Sequence, residues 1–329
     1  MRYSVIVPVY NRPDEVRELL ESLCAQPRED VEALIVEDGS SVPCEAVVRE
    51  YEGRLAVRYY TKPNSGPGQT RNYGAERANG EWLIILDSDV IVPPGYFAAI
   101  DEELAREDSD AFGGPDRAHK DFSPVQKAIN YAMTSFFTTG GIRGGKKKLD
   151  KFYPRSFNMG IRREVFAALG GFSKMRFGED IDLSIRIFKG GYRCRLFPEA
   201  WVWHKRRTDL KKFFKQVHNS GIARINLYKK YPDSLKLVHL LPAVFTIGCI
   251  LLILTAFCWP WSLLPIGLYA LLVFVDAARK EKSLKIGGLS IAASFVQLIG
   301  YGTGFLRAWW ERCVLGRGEI EAFKKNFYK

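Results

Sequence analysis

The sequence predicts an α/β fold up to about residue 205 and an apolar helical region after residue 237. Three observations support this prediction. Short apolar runs alternate with segments of helical periodicity in the first part. The composition then changes sharply near residue 237, and long runs without charged residues follow. Apolar strands that alternate with helices are typical of a parallel sheet covered by helices on both faces.

The elements of the α/β part follow one another regularly. Strands are predicted at residues 4–7, 33–38, 55–60 and 82–86. Helices are predicted at residues 13–24, where leucine and valine recur at helical spacing, and at residues 68–78. Asn11 is the expected N-cap of the first helix.

Polar residues follow three of these strands at the point where each strand ends. The stretches are YN at residues 10–11, DGS at residues 38–40 and DSD at residues 87–89. Ligands of parallel α/β sheets bind beyond the carboxyl ends of the strands. We therefore expect a ligand site at this edge of the sheet.

Asp87 and Asp89 admit two interpretations. A polar turn that ends the strand is one, because Asp and Ser side chains bond to nearby backbone N–H groups. The other is a site for a divalent cation that carries phosphate, because Mg²⁺ is usually held by one or two carboxylates plus substrate phosphates. From the residues alone, the two are about equally supported.

Three further residues carry weaker signals at the same edge. Pro8 ends its strand and is able to shape a backbone edge for a base, or it belongs to a plain strand-to-helix turn. Asp38 is placed to accept a hydrogen bond from a ring N–H, or it forms a turn with its own backbone. Arg71 is placed to pair with a phosphate, or it is a surface residue.

The charge of the chain indicates an anionic partner. The net charge is +11 and the pI is about 9.3, with basic residues concentrated at 205–236. Residues 213–232 alternate apolar and cationic side chains, which indicates a helix lying on anionic lipid or, alternatively, a solvated linker. Residues 123–148 offer a second candidate surface whose glycine-rich basic end closes over substrate, touches lipid or has no catalytic role.

Two other functional classes find little support. Nucleic-acid binding is disfavoured because the basic residues cluster beside the apolar runs without interleaved aromatic platforms. The six cysteines are scattered without a CxxC pair, which argues against a disulfide framework or a zinc site.

The apolar region contains three candidate membrane spans, at residues 238–259, 261–275 and 286–306. Basic residues flank the first two and place the flanking segments on the cytoplasmic side. A third full span would place the basic tail outside, so either the tail is exported or the third run re-enters. A buried helical hairpin in a soluble protein is the alternative.

The ordered motifs of the α/β part resemble those of a known family. They are VIVPVYN, VEDGS, GPGQTRNYGAERANGEWLIILDSDV, FNMGIRREVFAALGGF and GEDIDLSIR. Together they resemble glycosyltransferase family 2, which has a GT-A fold with a mixed, Rossmann-like sheet. The resemblance covers residues 1–205. It implies transfer of a sugar from a nucleotide-diphosphate sugar, with inversion at the anomeric carbon. The expected donor is a UDP-sugar.

The resemblance assigns the donor side of the site. It implies that Pro8, Tyr10 and Asp38 lie in the nucleotide pocket, with Arg71 near the base or the diphosphate. The resemblance also implies a metal ion that bridges the diphosphate.

The metal site follows from the same resemblance. Asp89 is expected on the metal, Asp87 near the ribose or the metal, and His204 as a further metal ligand. The metal would be Mn²⁺ or Mg²⁺. If the chain turns at Ser88, one carboxylate serves the ribose side and the other the metal, because residues two apart share a direction only in an extended strand.

The acceptor side is expected in the second half of the domain. The resemblance implies that Asn158 and Glu179 bind substrate and that Asp180, at the start of a helix, is the general base. A base is needed because the acceptor hydroxyl loses its proton as it attacks the sugar. Asp182 is expected to cap or brace the same helix. The chain lacks the QxxRW motif of processive synthases, so transfer of one sugar is expected.

The predicted organisation has five parts. Residues 1–110 form the nucleotide-sugar-binding half and residues 111–205 the acceptor half; residues 206–236 are an interfacial segment, residues 237–310 a region of two to three spans, and residues 311–329 a basic tail. The expected protein is a multi-pass enzyme of the inner membrane that acts on a lipid-linked or glycan acceptor at its cytoplasmic face. The alternatives are a nucleotidyltransferase and a non-catalytic membrane protein that binds a nucleotide sugar.

Overall fold

The computed structural model describes residues 1–117, 122–140 and 152–319. These residues form two compact units. The first unit contains residues 1–117 and 152–205, and the second contains residues 122–140 and 206–319. The glycine-rich basic end of the 123–148 segment and most of the basic tail lie outside the described residues.

The strands are β1 (Tyr3–Val9), β2 (Val31–Asp38), β3 (Ala56–Lys62), β4 (Trp82–Leu86), β5 (Val90–Ile91), β6 (Ala111–Gly113), β7 (Asp116–Arg117), β8 (Asn158–Arg162), β9 (Cys194–Leu196) and β10 (Val202–His204). The helices are α1 (Pro13–Cys24), α2 (Glu45–Arg49), α3 (Pro67–Ala75), α4 (Tyr96–Arg106), α5 (Pro124–Thr134), α6 (Phe136–Thr139), α7 (Arg163–Ala168), α8 (Glu179–Lys189), α9 (Leu210–Lys230), α10 (Leu241–Thr255), α11 (Leu264–Glu281) and α12 (Leu284–Trp309).

The first unit is built on a seven-stranded sheet with the order β3-β2-β1-β4-β8-β6-β9. The strands β3, β2, β1 and β4 are mutually parallel, while β8 runs against both of its neighbours. A smaller sheet has the order β5-β10-β7. The mixed sheet confirms the predicted fold class.

Helices cover both faces of the large sheet. One face packs on α1, α2 and α4 through a core that includes Val5, Leu20 and Phe97. The other face packs on α3, α7 and α8, with Ile6 and Leu183 in its core. This alternation follows from the period of two along β1, where successive side chains enter opposite cores.

One local expectation is wrong. Asn11 does not cap α1, because the residue at the N-cap position is Arg12. The backbone of Asn11 has a φ of 56°, and its side-chain oxygen accepts hydrogen bonds from the backbone N–H groups of Ser41 and Val42. Asn11 therefore fastens the loop after β1 to the loop after β2 rather than starting a helix.

The second unit is helical. The apolar side of α9 packs closely along α12, where the backbones approach at glycines. A Cβ atom at Gly304 would lie 2.0 Å from the carbonyl oxygen of His218, so only glycine fits at that contact. The ring of His218 also lies 3.1 Å from the hydroxyl of Thr303. The apolar face of the expected interfacial helix is therefore largely covered by α12, and its contact with lipid stays a prediction.

Two helices of this unit are long and apolar enough to cross a membrane, Pro260–Glu281 and Leu284–Val314. The first expected span is shorter than predicted, since α10 has only 15 residues. At a rise of about 1.5 Å per residue it is about 22 Å long, less than the roughly 30 Å of a bilayer core. Length and composition of two helices are weak evidence for a membrane protein.

Candidate active site

The two carboxylates after β4 are arranged by a turn. The backbone N–H of Val90 donates to the carbonyl oxygen of Asp87 at 3.3 Å, which closes a turn over Ser88 and Asp89. The strand therefore does not continue through Ser88, and the pleat does not set the directions of the carboxylates. The two interpretations of Asp87 and Asp89 are therefore compatible. The residues form a polar turn, and the same turn brings possible cation ligands together.

Pairing of two short strands brings His204 to this turn. In the antiparallel β5–β10 ladder His204 lies opposite Val90, and the backbone N–H of Lys205 donates to the carbonyl oxygen of Asp89 at 3.1 Å. His204 Nε2 lies 3.3 Å from Asp89 Oδ1. One ligand atom from each of Asp87, Asp89 and His204 lies within 4.8 Å of the others. The fold thus brings His204 close to Asp87, although the two residues are 117 positions apart along the chain.

The imidazole of His204 is held on its other sides. Its ring stacks on Phe157 with the centroids 4.9 Å apart, and Asp116 Oδ2 lies 3.8 Å from Nδ1. Burial lowers the pKa of His204, but the carboxylates of Asp89 and Asp116 outweigh this effect and raise the pKa to about 9. The site therefore attracts positive charge.

The donor set fits a divalent cation. Carboxylate oxygens suit Mg²⁺ and Mn²⁺, and an imidazole is a common ligand of transition metals. Two carboxylates and one imidazole within 4.8 Å of one another are therefore able to hold such a cation.

Arg71 connects this turn to the start of α8. It extends from α3 and is only 3% exposed. Its Nη2 donates to Asp87 Oδ1 at 2.7 Å and its Nη1 donates to Glu179 Oε1 at 3.0 Å. The guanidinium also lies over the ring of Phe172. Arg71 is thus a buried bridge between two carboxylates, and its expected contact with the base or diphosphate stays a prediction.

Glu179 and Asp180 form the first turn of α8, as expected from the sequence. Burial and the neighbouring Asp180 raise the pKa of Glu179 to about 7, although Arg71 opposes the rise. Asp180 Oδ2 lies 3.3 Å from Arg155 Nη1. Asp182 pairs with Arg186 one turn along and is fully buried, so it braces this helix as predicted.

Asp38 lies at the end of β2, and its carboxylate is already hydrogen-bonded within the protein. Its carboxylate accepts hydrogen bonds from Lys62 Nζ at 2.6 Å and from the backbone N–H groups of Ser65 and Gly66 at 2.8 Å. The side chain is fully buried. Asp38 therefore fixes the loop that leads into α3, and direct contact with a base stays a prediction.

The remaining predicted residues lie on neighbouring elements. The expectation that Pro8 ends its strand is wrong, because β1 continues to Val9 and Pro8 lies within it, in register with Val36. Tyr10 follows that strand and is half-buried. Asn158 lies opposite Leu86 in the β4–β8 ladder and is fully buried.

The side chain of Asn158 is engaged on both ends. Its oxygen accepts from the hydroxyl of Tyr96 at 2.6 Å, and its amide donates to the carbonyl oxygen of Ala200 at 2.8 Å. In this conformation Asn158 joins β8 to the segment before β10, so its expected contact with substrate stays a prediction.

Three residues of the site were not identified from the sequence. Arg12 contacts Asp89, Asp116 contacts His204, and Arg155 contacts Asp180. Arg12 directly follows the polar stretch at residues 10–11, so its position carried a signal. Asp116 and Arg155 lie outside the quoted motifs, and only the folded chain reveals their partners.

The fold and the site together define an α/β domain of the GT-A type. Residues 4–170 match the family model described as Glycosyl transferase family 2. The chain belongs to this family.

The chain is similar to curated proteins of Bacillus subtilis (strain 168). It is 25% identical over 229 residues to the probable glycosyltransferase YdaM. This match covers 65% of this chain and 53% of YdaM. It is 27% identical over 244 residues to EpsJ, an uncharacterized glycosyltransferase, covering 69% of this chain and 70% of EpsJ. The chain thus spans about half the length of YdaM.

Solved structures share the fold. The mannosyltransferase PcManGT from Pyrobaculum calidifontis, in complex with GDP-Man and Mn²⁺, superposes with a TM-score of 0.64 over 90% of this chain and 87% of that chain, at 19% identity. Staphylococcus aureus TarS, in complex with UDP-GlcNAc, gives a TM-score of 0.50 over 96% of this chain and 93% of that chain, at 18% identity. At these identities the likeness shows the fold alone.

Proposed function

We propose that this protein transfers one sugar from a nucleotide-diphosphate sugar to an acceptor hydroxyl, with inversion at the anomeric carbon. The observation that carries the proposal is the cluster of Asp87, Asp89 and His204 at the carboxyl end of β4. The bridge through Arg71 to Glu179 supports it, because it joins this cluster to the carboxylates of α8. Membership of the family supports the same reaction class.

Asp180 is the proposed general base. Glu179 is held by Arg71 at 3.0 Å in the buried bridge, which supports Asp180 as the carboxylate that receives the proton. Asp180 itself is oriented by Arg155 at 3.3 Å from its Oδ2 and by the backbone N–H of Ile181, which donates to its Oδ1 at 2.8 Å. In the proposed step the acceptor oxygen bonds to the anomeric carbon, and the bond from that carbon to the diphosphate oxygen breaks on the opposite face. The proton of the acceptor hydroxyl passes to Asp180, and the nucleoside diphosphate leaves.

Asp87, Asp89 and His204 would hold the divalent cation. When bound, Mn²⁺ or Mg²⁺ supplies positive charge that stabilises the departing diphosphate. The structure of PcManGT in complex with Mn²⁺ supports this assignment.

The donor is proposed to be a UDP-sugar. TarS in complex with UDP-GlcNAc supports a uridine nucleotide, while PcManGT in complex with GDP-Man makes a GDP-sugar the competing donor. Pro8, Tyr10 and Asp38 are proposed to line the nucleotide pocket. Asp38 contributes through the loop at Ser65 that it holds.

The acceptor is proposed to be lipid-linked, or another glycan, at the cytoplasmic face of the inner membrane. The support is the set of exposed apolar side chains on α10 and α11, beside the basic segment 205–236, which suits an anionic membrane. A multi-pass arrangement is part of this proposal.

The proposal is tested with the full chain in detergent, a panel of radiolabelled UDP- and GDP-sugars, Mn²⁺ and a lipid extract. We expect label in the lipid phase and release of the nucleoside diphosphate. Release of inorganic diphosphate would instead identify a nucleotidyltransferase, and transfer only to soluble acceptors would overturn the lipid-linked acceptor. No turnover and no nucleotide binding would overturn the proposed enzyme.

The base is tested by Asp180→Asn, which should lower turnover by about 100-fold or more because general base catalysis is lost. Glu76→Gln is the control, since the Glu76 side chain is 72% exposed. Unchanged turnover in Asp180→Asn would show that another group takes the proton.

A further inference from the structure

Arg12 lies against the same carboxylate that is assigned to the cation. Its Nη1 is 3.2 Å from Asp89 Oδ2. The same nitrogen donates to both oxygens of Glu15 at 3.0 Å, one turn into α1. The other oxygen of Asp89, Oδ1, faces His204 at 3.3 Å. Both oxygens of Asp89 therefore meet a basic side chain of the protein itself.

A guanidinium and a divalent cation compete for such an oxygen. Both are attracted to the carboxylate of Asp89, and they repel each other at contact distance. Because Arg12 is always protonated, its charge does not disappear when a cation approaches. The cation must therefore displace Arg12 from Oδ2 or bind against its repulsion.

A diphosphate offers Arg12 another partner. Guanidinium groups form bidentate, charge-assisted hydrogen bonds with phosphate oxygens. Arg12 is able to move, since its side chain is 33% exposed and it lies in the loop before α1 rather than in a core. The ion pair of Arg12 with Glu15 joins residues only three positions apart. This ion pair keeps the guanidinium near the site after the guanidinium leaves Asp89.

We propose that Arg12 competes with the divalent cation for Asp89 and thereby makes cation binding depend on the donor. This inference rests on the proposed function, because it takes Asp89 as a cation ligand and a diphosphate as part of the substrate. Arrival of the diphosphate draws Arg12 from Asp89 and opens that oxygen to the cation. Cation and nucleotide then bind cooperatively, and each raises the affinity for the other by the same factor. Arg12 is thus a positioning residue and not a cation ligand.

The test is a titration of the full chain in detergent with Mn²⁺, in which free Mn²⁺ is counted by electron paramagnetic resonance. It is repeated with saturating UDP and with saturating GDP. The variants are Arg12→Gln, which removes the charge, and Arg12→Lys, which keeps it. Arg17→Gln is the matched control, because Arg17 is on α1 and pairs with Glu50, away from the site.

Without nucleotide, Arg12→Gln should bind Mn²⁺ about fivefold more tightly than the native protein, in keeping with the strength of a partly exposed ion pair. Arg12→Lys and Arg17→Gln should bind as the native protein does. The nucleotide should tighten Mn²⁺ binding by a larger factor in the native protein than in Arg12→Gln, where only the direct attraction between the cation and the diphosphate is left. A gain of affinity is an outcome that a merely structural role for Arg12 does not produce.

Two results overturn the proposal, and they are distinguishable. If the native protein binds Mn²⁺ with nucleotide but Arg12→Gln binds Mn²⁺ alone no more tightly, the competition is absent while the cation site stands. If no variant binds Mn²⁺ under any condition, the cation assignment fails and the competition fails with it.

Discussion

The guanidinium of Arg71 donates a hydrogen bond of 2.7 Å to the carboxylate of Asp87. Its other terminal nitrogen donates to Glu179, so one buried cation joins the turn after β4 to the first turn of α8. The side chain of Glu179 is 11% exposed, whereas that of Asp87 is 32% exposed, so Glu179 depends more on Arg71 for its stabilisation. The bridge therefore holds the proposed donor and acceptor sides together as well as compensating their charge.

Replacing Arg71 should destabilise the fold. Arg71→Gln leaves the carboxylates of Asp87 and Glu179 without their shared counter-charge, and loss of one partner of a buried ion pair costs about 3–5 kcal/mol. Arg71→Lys should cost less, because an ammonium keeps the charge but lacks the planar fork that reaches both partners. The measurement is the free energy of unfolding in urea. Arg17→Gln, in an exposed pair with Glu50, should unfold as the native protein does, and the same result for Arg71→Gln would contradict the bridge.

Glu179 should make part of the stability depend on pH. Its pKa is raised from an ordinary 4.5 to about 7 by burial and by Asp180. Between these values the native state holds a proton that the unfolded chain has released. The contribution of this group to the free energy of unfolding therefore falls as the pH rises through that window.

The variant Glu179→Gln carries no titrating group at this position and isolates the effect. Between about pH 4.5 and pH 8, its free energy of unfolding should rise relative to the native protein by about 3 kcal/mol. The measurement is urea unfolding of both proteins across this range. A constant difference would mean that Glu179 is ionised throughout, held by Arg71.

Elements defined by local pattern were predictable from the sequence. The helix α1 and the strand β4 have the bounds that periodicity indicated, because Val16 and Leu19 repeat at helical spacing and residues 82–86 are apolar without interruption. The direction of β8 was not predictable in the same way. A buried strand of five residues has the same pattern whether it runs parallel or antiparallel to its neighbour.

The site was predictable as a list of residues but not as a set of contacts. The family motifs supplied Asp87 and Glu179, and the structure joins them through Arg71. Arg71 was expected near the base or the diphosphate, and its ion pair with Glu179 was not predicted, because an ion pair between residues 108 positions apart leaves no local signal. The expectation that Asn11 caps α1 is wrong for a similar physical reason, since the hydrogen bonds of Asn11 go to a distant loop.

Asp89 should be essential for the proposed cation. Asp89→Asn removes a negative charge from the cluster with Asp87 and His204, so Mn²⁺-dependent turnover should fall by about 100-fold or more. A chelator should have a similar effect on the native enzyme. Ser88→Ala is the control, because Ser88 shares the turn but offers no carboxylate. Equal losses in both variants would show that the shape of the turn, and not the charge of Asp89, is what matters.

The connection between α10 and α11 should bind lipid. Phe257 is 86% exposed and Trp261 is 70% exposed, at the point where the two apolar helices meet. Transfer of exposed apolar side chains from water into lipid is favourable, and aromatic residues favour the interface of a bilayer. Replacing both by glutamate should weaken association with anionic vesicles by about tenfold or more, since burying each side chain is worth about 1.5–3 kcal/mol. The measurement is cosedimentation of the purified protein with vesicles. Val42→Glu, at an exposed apolar residue of the α/β unit, should leave association unchanged, and undiminished binding by the double variant would place the lipid contact elsewhere.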